Sequence, residues 1–431
     1  MPSTRVLSLL GVILAVVFGL LTTAGYAFAA GKEKVLYTFC SASNCTDGVS
    51  PFGPLVFDRN GNLYGTTEAG GTNGTGTVFK LKPGSKGTWT ETVLYSFQND
   101  GQDGFSPYAG VTFDEKGNLY GTTFFGGSSE ECGIGVGCGI VFKLTPGSHG
   151  SWTETVLYRF QNNGQDGVGP YAGLIIDKKG NLYGTTIFGG PARSGCHIGC
   201  GTVFELTPGS NGTWTETVLH SFNYWDGAYP WAGLIFDAAG DLYGTTNTGN
   251  RPGNVFRLKS DADGKWTEKV LHAFHGGKGD DGAGPVTPVI FDAAGNLYGT
   301  AFNSNGPIGG TVFELKQGTW TEQVLFSFPT NGQDGSDPQG GLVFDKKGNL
   351  YSTTSAGGTY GSSCDGGCGT VFELNHDGWK AEVLYKFTGG SDGGSPQTGL
   401  IVDAKGNLYG TAVNGGGGSG CSCGVVFKIT P

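Results

Sequence analysis

The chain has a single methionine, six histidines of which only His220 and His272 share a register, and only 14% charged residues over its 431 positions. It carries no Gly-x-Ser-x-Gly elbow, no His-Glu-x-x-His pair and no phosphate loop, so no common hydrolase, metalloprotease or nucleotide motif points to an activity. After Leu21 no apolar run approaches the ~20 residues that a membrane-spanning helix needs. No stretch shows the period of a long amphipathic helix. Basic residues are also in deficit, 26 against 36 acidic, for a net charge of −10. Such a surface repels phosphate backbones, and nucleic acid is not an expected partner.

Glycine is abundant instead, with 83 residues, far above the usual ~7%. The glycines recur beside aromatic and β-branched runs, which marks turns between strands. The first residues form a separate unit. Arg5 precedes an uncharged apolar run from Val6 to Leu21, and Ala27-Phe28-Ala29 supplies a small-residue cleavage site. That is the pattern of a secretory signal peptide over residues 1–29. The expected mature chain, residues 30–431, is then exported to the periplasm or beyond, with no membrane span left after cleavage. No cysteine follows the apolar run, which argues against a lipid anchor.

One unit repeats seven times. Asp58-Arg-Asn-Gly-Asn-Leu-Tyr64-Gly-Thr-Thr67 returns with its Asp at 114, 177, 237, 292, 345 and 403, at intervals of 53 to 63 residues. Each copy holds four strand-like runs, A to D, which in the second copy cover 109–114, 118–123, 139–145 and 151–160. Asp before and Gly within the A–B connection suit a tight return. Runs A and C are nearly continuous in apolar residues, as a sheet covered on both faces requires. The D runs carry more polar groups and suit an outer edge. The expected fold is an all-β propeller of seven blades with four antiparallel strands each. The last copy lacks its D run, and residues 33–39 read as an orphan D strand. They are expected to complete the last blade and remove the raw edges.

Variation concentrates in the B–C loops, so a site is expected on the face that carries the B–C and D–A connections. The D–A loops share Asp-Gly-x-x-Pro at Asp47, Asp103, Asp166, Asp226, Asp281, Asp334 and Asp392. A ring of carboxylates at the axis could bind a cation or polyol, but a feature common to all blades reads first as turn chemistry. The residue after that Pro is Phe52, Tyr108, Tyr171 and Trp231 in four blades, then Val286, Gln339 and Gln397. A rim half aromatic and half polar suits a flat or amphipathic ligand, a glycan or cell-wall polymer first. Trp225, Tyr224 and Tyr229 enlarge the aromatic side, and Phe124, Phe125 and Phe188 begin nearby loops. The bland alternative is packing between blades. The Trp repeated at 89, 152, 214, 266, 320 and 379 lies on the opposite face and reads as structural.

The ten cysteines form five close pairs, Cys40/Cys45, Cys132/Cys138, Cys196/Cys200, Cys364/Cys368 and Cys421/Cys423. Four pairs fall in the four longest B–C loops, as disulfide staples in an oxidising compartment would. Their spacings do not match zinc ribbons, and no metal and no cofactor is assigned. His220 and His272 replace Tyr in D runs and read as edge residues. His275 is alone among the histidines in a D–A loop, near Asp280 and Asp281. No catalytic residue emerges.

The copies of Gly-Asn-Leu-Tyr-Gly-Thr-Thr, each followed by Gly-Thr-Val-Phe-Glu-Leu or a variant, resemble the GloVer tandem-repeat family, whose members are often named "choice-of-anchor" proteins. The Asp-x-x-Gly-Asn-Leu-Tyr core is also similar to NHL-type propeller repeats. The resemblance spans residues 33–431 and implies an exported bacterial repeat protein, with no catalytic residues to carry over. A C-terminal sorting segment, which family members can carry, is not expected after Pro431. The leading expectation is a secreted, monomeric, non-catalytic binding or surface-scaffold propeller. An extracellular glycosidase, lyase or lactonase acting at the central channel is the first alternative, and a purely structural envelope protein the second.

Overall fold

The computed structural model describes residues 31–127, 132, 137–276, 281–302, 309–329, 332–360, 364, 366–417 and 423–431. The expected signal peptide lies outside them. Seven four-stranded antiparallel sheets follow one another as the blades of a propeller. Blade 2 shows the pattern: strand A is Thr112–Phe113, B Leu119–Thr123, C Ile140–Pro146 and D Trp152–Arg159. Strand A is shorter than the sequence suggests. Only its last two residues pair with B, because the preceding ones turn in to line the axis.

Ring closure runs through the first described residues. Lys32–Thr38 pairs antiparallel with Val425–Thr430 and supplies the D strand of blade 7. The same blade takes its A, B and C strands from Ile401–Val402, Leu408–Ala412 and Val425–Thr430.

The repeated residues explain the assembly. The turn Asp58 accepts hydrogen bonds from the Asn60 and Asn62 amides and from the Asn62 side chain, while Gly61 takes φ +77°. The Gly of Gly-Thr-Thr leaves room for a ring: a Cβ on Gly184 would sit 2.6 Å from Cζ of Phe204. The first Thr then reaches the next blade, as Thr122 Oγ1 donates to the Ala172 carbonyl and Thr185 Oγ1 to that of Ala232. Neighbouring blades also share a phenylalanine pair, one ring at the end of strand D and one from the next strand C. These are Phe39–Phe79, Phe97–Phe142, Phe160–Phe204, Phe222–Phe256, Phe274–Phe313, Phe328–Phe372 and Phe387–Phe427, at 5.0 to 5.2 Å in edge contact. Each such pair adds ~0.5–1.5 kcal/mol beyond area burial. The series passes through the closing strand without a break.

The D–A and B–C loops lie together on one face and pair there. Gly104–Phe105 bonds with Phe125–Gly126, and single bridges join Val49 to Ala69, Ala228 to Thr248, Ser336 to Ala356 and Gly394 to Asn414. Disulfides close Cys40–Cys45, Cys132–Cys138, Cys196–Cys200 and Cys364–Cys368 on this face. Cys423 is also disulfide-bonded, while its expected partner Cys421 lies outside the described residues. No helix among the described residues is long and apolar enough to cross a membrane.

Candidate functional site

The shared Pro fixes where each strand A starts, and the residue after it points into the axial mouth. All seven such residues, Phe52, Tyr108, Tyr171, Trp231, Val286, Gln339 and Gln397, line one cavity of about 310 Å³. Below them the strands crowd together and the channel narrows: a Cβ on Gly110 would lie 2.2 Å from the Pro54 carbonyl oxygen. The cavity is a cup at the loop face, and the same seven residues also border a second space of about 310 Å³ that continues inward past Ala109, Leu174 and Leu234.

Its wall is asymmetric. The aromatic residues form a continuous crescent, with Phe52 edge-on to Tyr108 at 5.4 Å, Tyr108 stacked on Tyr171 at 4.9 Å, and Tyr171 tilted against Trp231 at 5.2 Å. Phe124 braces the crescent from behind, edge-on to Tyr108 and Tyr171. The Tyr108 hydroxyl donates to Glu68 Oε1 at 2.8 Å, which fixes its ring. Burial pushes the Tyr171 hydroxyl up to about 12, so it stays a neutral donor. Trp231 remains 37% exposed, so the end of the crescent is open to a ligand. Gln339 and Gln397 face it with amide donors and acceptors.

Two lining residues were not singled out by sequence reasoning, Asn247 and Phe302. They occupy one register, directly after strand B, whose other members are Glu68, Phe124, Ile187, Ser355 and Val413. Variation at a fixed register was the signal that exposed the first ring, and it would have exposed this one. Trp225 does not join the cavity. It stands 73% exposed on the D–A loop, edge-on to Tyr224. Tyr224 and Tyr229 pack against the blade 3 and blade 4 core.

The aspartate ring takes the turn role, away from the axis. None of the seven lines the cavity. In four seams the Asp accepts a hydrogen bond from a strand-D tyrosine at 2.7 to 2.9 Å: Asp47 from Tyr37, Asp103 from Tyr95, Asp166 from Tyr158 and Asp392 from Tyr385. Each also accepts a loop amide, such as that of Gln161 on Asp166. In these four seams the carboxylates pin the loop to the outer strand.

Each of these four Asp, and Asp226 likewise, faces a glutamate from the next strand D. Glu33, Glu91, Glu154 and Glu268 are pushed up to about 7, and Glu216 to about 8, by burial first and by the facing Asp as well, Glu268 being offset in part by His220. The seam between blades 5 and 6 departs from this. Phe326 replaces the tyrosine, Asp334 is exposed, and Ala381 stands where the glutamate would be.

Grooves larger than the axial cup, of about 540 and 660 Å³, lie between neighbouring blades on the opposite face. Turn residues and the repeated Trp line them, with Trp214 edge-on to Tyr120 in one and Trp152 in the other. They recur with the repeat and are shallow. The axial cup occurs once and has unlike walls, which makes it the better candidate site.

The fold and site define a closed seven-bladed propeller with one polar-aromatic cup at the axis. The chain belongs to the Gloeobacter/Verrucomicrobia repeat family, whose model matches residues 14–196, 133–363 and 303–431. No curated protein matches the chain. Among solved structures, a candidate 6-phosphogluconolactonase from Bacteroides uniformis ATCC 8492 is similar at 14% identity and TM-score 0.51, covering 83% of this chain and 89% of its own. A fungal alcohol oxidase in complex with copper is similar at 16% identity and TM-score 0.56, covering 93% and 76%. At such identities the likeness is one of fold alone.

Proposed function

We propose that the protein is an extracytoplasmic, non-catalytic binding propeller whose axial cup receives a carbohydrate. The observation that carries this reading is the crescent Phe52–Tyr108–Tyr171–Trp231 facing Gln339, Gln397 and Asn247 across one cavity. A sugar ring has an apolar face of C–H groups and an edge of hydroxyls, and the cup offers a surface for each. Its volume lies near the low end of the ~300–1,000 Å³ usual for small-ligand sites. It suits a chain terminus or a single residue of a glycan.

Hydrolysis at this site is the weaker reading. A glycosidase needs two carboxyl groups flanking the bond, and the described lining residues include no carboxylate and no histidine. Glu68 stands behind Tyr108 and is engaged by its hydroxyl. Four disulfides support a location outside the cytoplasm. The test is a glycan array, followed by titration of any hit. Trp231→Ala and Tyr171→Ala should weaken binding at least ~10-fold, as truncated aromatic anchors do. Absence of binding to every glycan and cell-wall polymer tried would overturn the proposal.

A further inference from the structure

Two seams carry histidine where four others carry tyrosine, and one of them gathers more than its repeat requires. His272 sits in strand D of blade 4, Trp266–Ala273. Asp281 follows in the D–A loop, and Glu322 opens strand D of blade 5, Glu322–Ser327. Imidazole is shorter than phenol. Where a tyrosine hydroxyl reaches its Asp at 2.7 to 2.9 Å, His272 Nε2 stops 3.7 Å from Asp281 Oδ2 and 3.7 Å from Glu322 Oε2. The three side chains are largely buried, at 14%, 10% and 12% exposure. His272 Nε2, Asp281 Oδ1 and Glu322 Oε1 have no hydrogen-bond partner. The equivalent glutamate oxygen is also unpartnered at the other seams that carry it, and so is His220 Nε2, but here a buried nitrogen and one oxygen of each of two carboxylates lie together and cost free energy unless something binds them.

We propose that His272, Asp281 and Glu322, completed by His275, form a binding site for a zinc-class divalent cation at the outer seam of blades 4 and 5. The dimensions fit. Zinc bonds of ~2.0–2.2 Å to nitrogen and oxygen place tetrahedral ligand atoms roughly 3.3–3.6 Å apart. The two 3.7 Å separations need only a slight contraction, and the two carboxylates, whose ligand atoms lie within 4.8 Å, must close by up to about 1.2 Å, which a side-chain rotation supplies. The charges fit as well, since two carboxylates neutralise a dication. His275 Nδ1 is hydrogen-bonded to Asp281 Oδ2 at 3.0 Å, and its ring is half-exposed, so exchanging that bond for a metal bond needs a ring rotation at the surface only. Two imidazoles and two carboxylates favour zinc or copper over calcium or magnesium, which prefer all-oxygen cages.

The seam of blades 3 and 4 is a control inside the same chain. It holds His220, Asp226 and Glu268, with His220 Nε2 at 3.3 Å from Asp226 Oδ2. In the register of His275 it has Asn223, whose side-chain amide donates to Asp226 Oδ2 at 2.6 Å. An amide nitrogen cannot ligate as an imidazole does, so this seam offers one nitrogen ligand where the seam of blades 4 and 5 offers two. The ion would therefore bind at one histidine seam and clip two blades together there.

The test is calorimetric titration of zinc into chelator-stripped residues 30–431. The wild-type protein should bind one ion per chain. His272→Tyr installs the residue of the other seams and should weaken binding at least ~100-fold with its melting profile in chelator retained. Glu322→Gln, which keeps shape and removes charge, should do the same, and His275→Gln should weaken binding ~10-fold. His220→Tyr should leave it unchanged. No stoichiometric zinc binding by the wild type, or binding that survives His272→Tyr and Glu322→Gln, would overturn the proposal.

Discussion

Two rings of equivalent positions run round the propeller, and they obey different rules. The outer ring reads Tyr37, Tyr95, Tyr158, His220, His272, Phe326 and Tyr385, each opposite an Asp. The axial ring reads Phe52, Tyr108, Tyr171, Trp231, Val286, Gln339 and Gln397. In the outer ring, residues change together. Phe326 removes a hydroxyl, Asp334 swings into solvent, and Ala381 replaces the facing glutamate. That reciprocity is what a load between blades produces. In the axial ring the neighbours differ without compensation: aromatic rings meet glutamines across an open cup. Repetition with compensation marks architecture, and unlike residues in one register mark recognition.

The sharpest break between architecture and recognition comes from truncating rings. Phe204→Ala, at a fully buried seam position, should cost ~3–5 kcal/mol in stability. Trp231→Ala should cost no more than ~1 kcal/mol, because its ring is partly exposed and braced on one side. Denaturant midpoints decide this, and equal costs would make the crescent structural. The carboxylates come next. Asp166→Ala strands the Tyr158 hydroxyl and the Gln161 and Gly167 amides and should cost about 2 kcal/mol. Asp334→Ala, exposed and without a tyrosine opposite, should stay within ~0.5 kcal/mol.

The smallest effect is pH-dependent. Glu33, Glu91, Glu154 and Glu268, raised from an ordinary 4.5 to about 7, and Glu216, raised to about 8, hold their protons more tightly folded than unfolded. The stability linked to them is complete below about pH 4.5 and is lost as pH rises through about 7 to 8. The turn aspartates work the other way. Burial alone would raise Asp58, but bonds from the Asn62 side chain and the Asn60 and Asn62 amides hold it below the usual value, as their counterparts hold Asp114 and Asp403. Their contribution is lost only as pH falls below the ordinary carboxylate range. His272, lowered by burial, opposes the glutamates as a single group. Melting temperature should therefore fall modestly from pH 5 to pH 8. Changing Glu216 and Glu154 to Gln should flatten that slope.

Much of the architecture was legible because the chain states it seven times. Strands B, C and D followed from Leu-Tyr-Gly-Thr-Thr and its partners, and the orphan run at 33–39 predicted closure. Strand A was read too long, since apolar character there reflects the crowded axis at Ala109 and Gly110 and not pairing. The axial ring was legible because Pro fixes its register. Asn247 and Phe302 were legible by the same signal, variation at the register directly after the repeated Gly-Thr-Thr or Gly-Thr-Ala. The cluster at His272 was hidden for a different reason: Glu322 belongs to the next blade, and only ring packing brings it opposite. The direction of the aspartates, too, depended on which strand D side chain met them.

The most direct test is a crystal structure of residues 30–431 soaked with the glycan that binds best on the array. One sugar ring is expected in the axial cup, stacked on Tyr171 or Trp231, with hydroxyls bonded to Gln339 or Gln397. Ligand density confined to the grooves between blades, with the cup filled only by water, would contradict it.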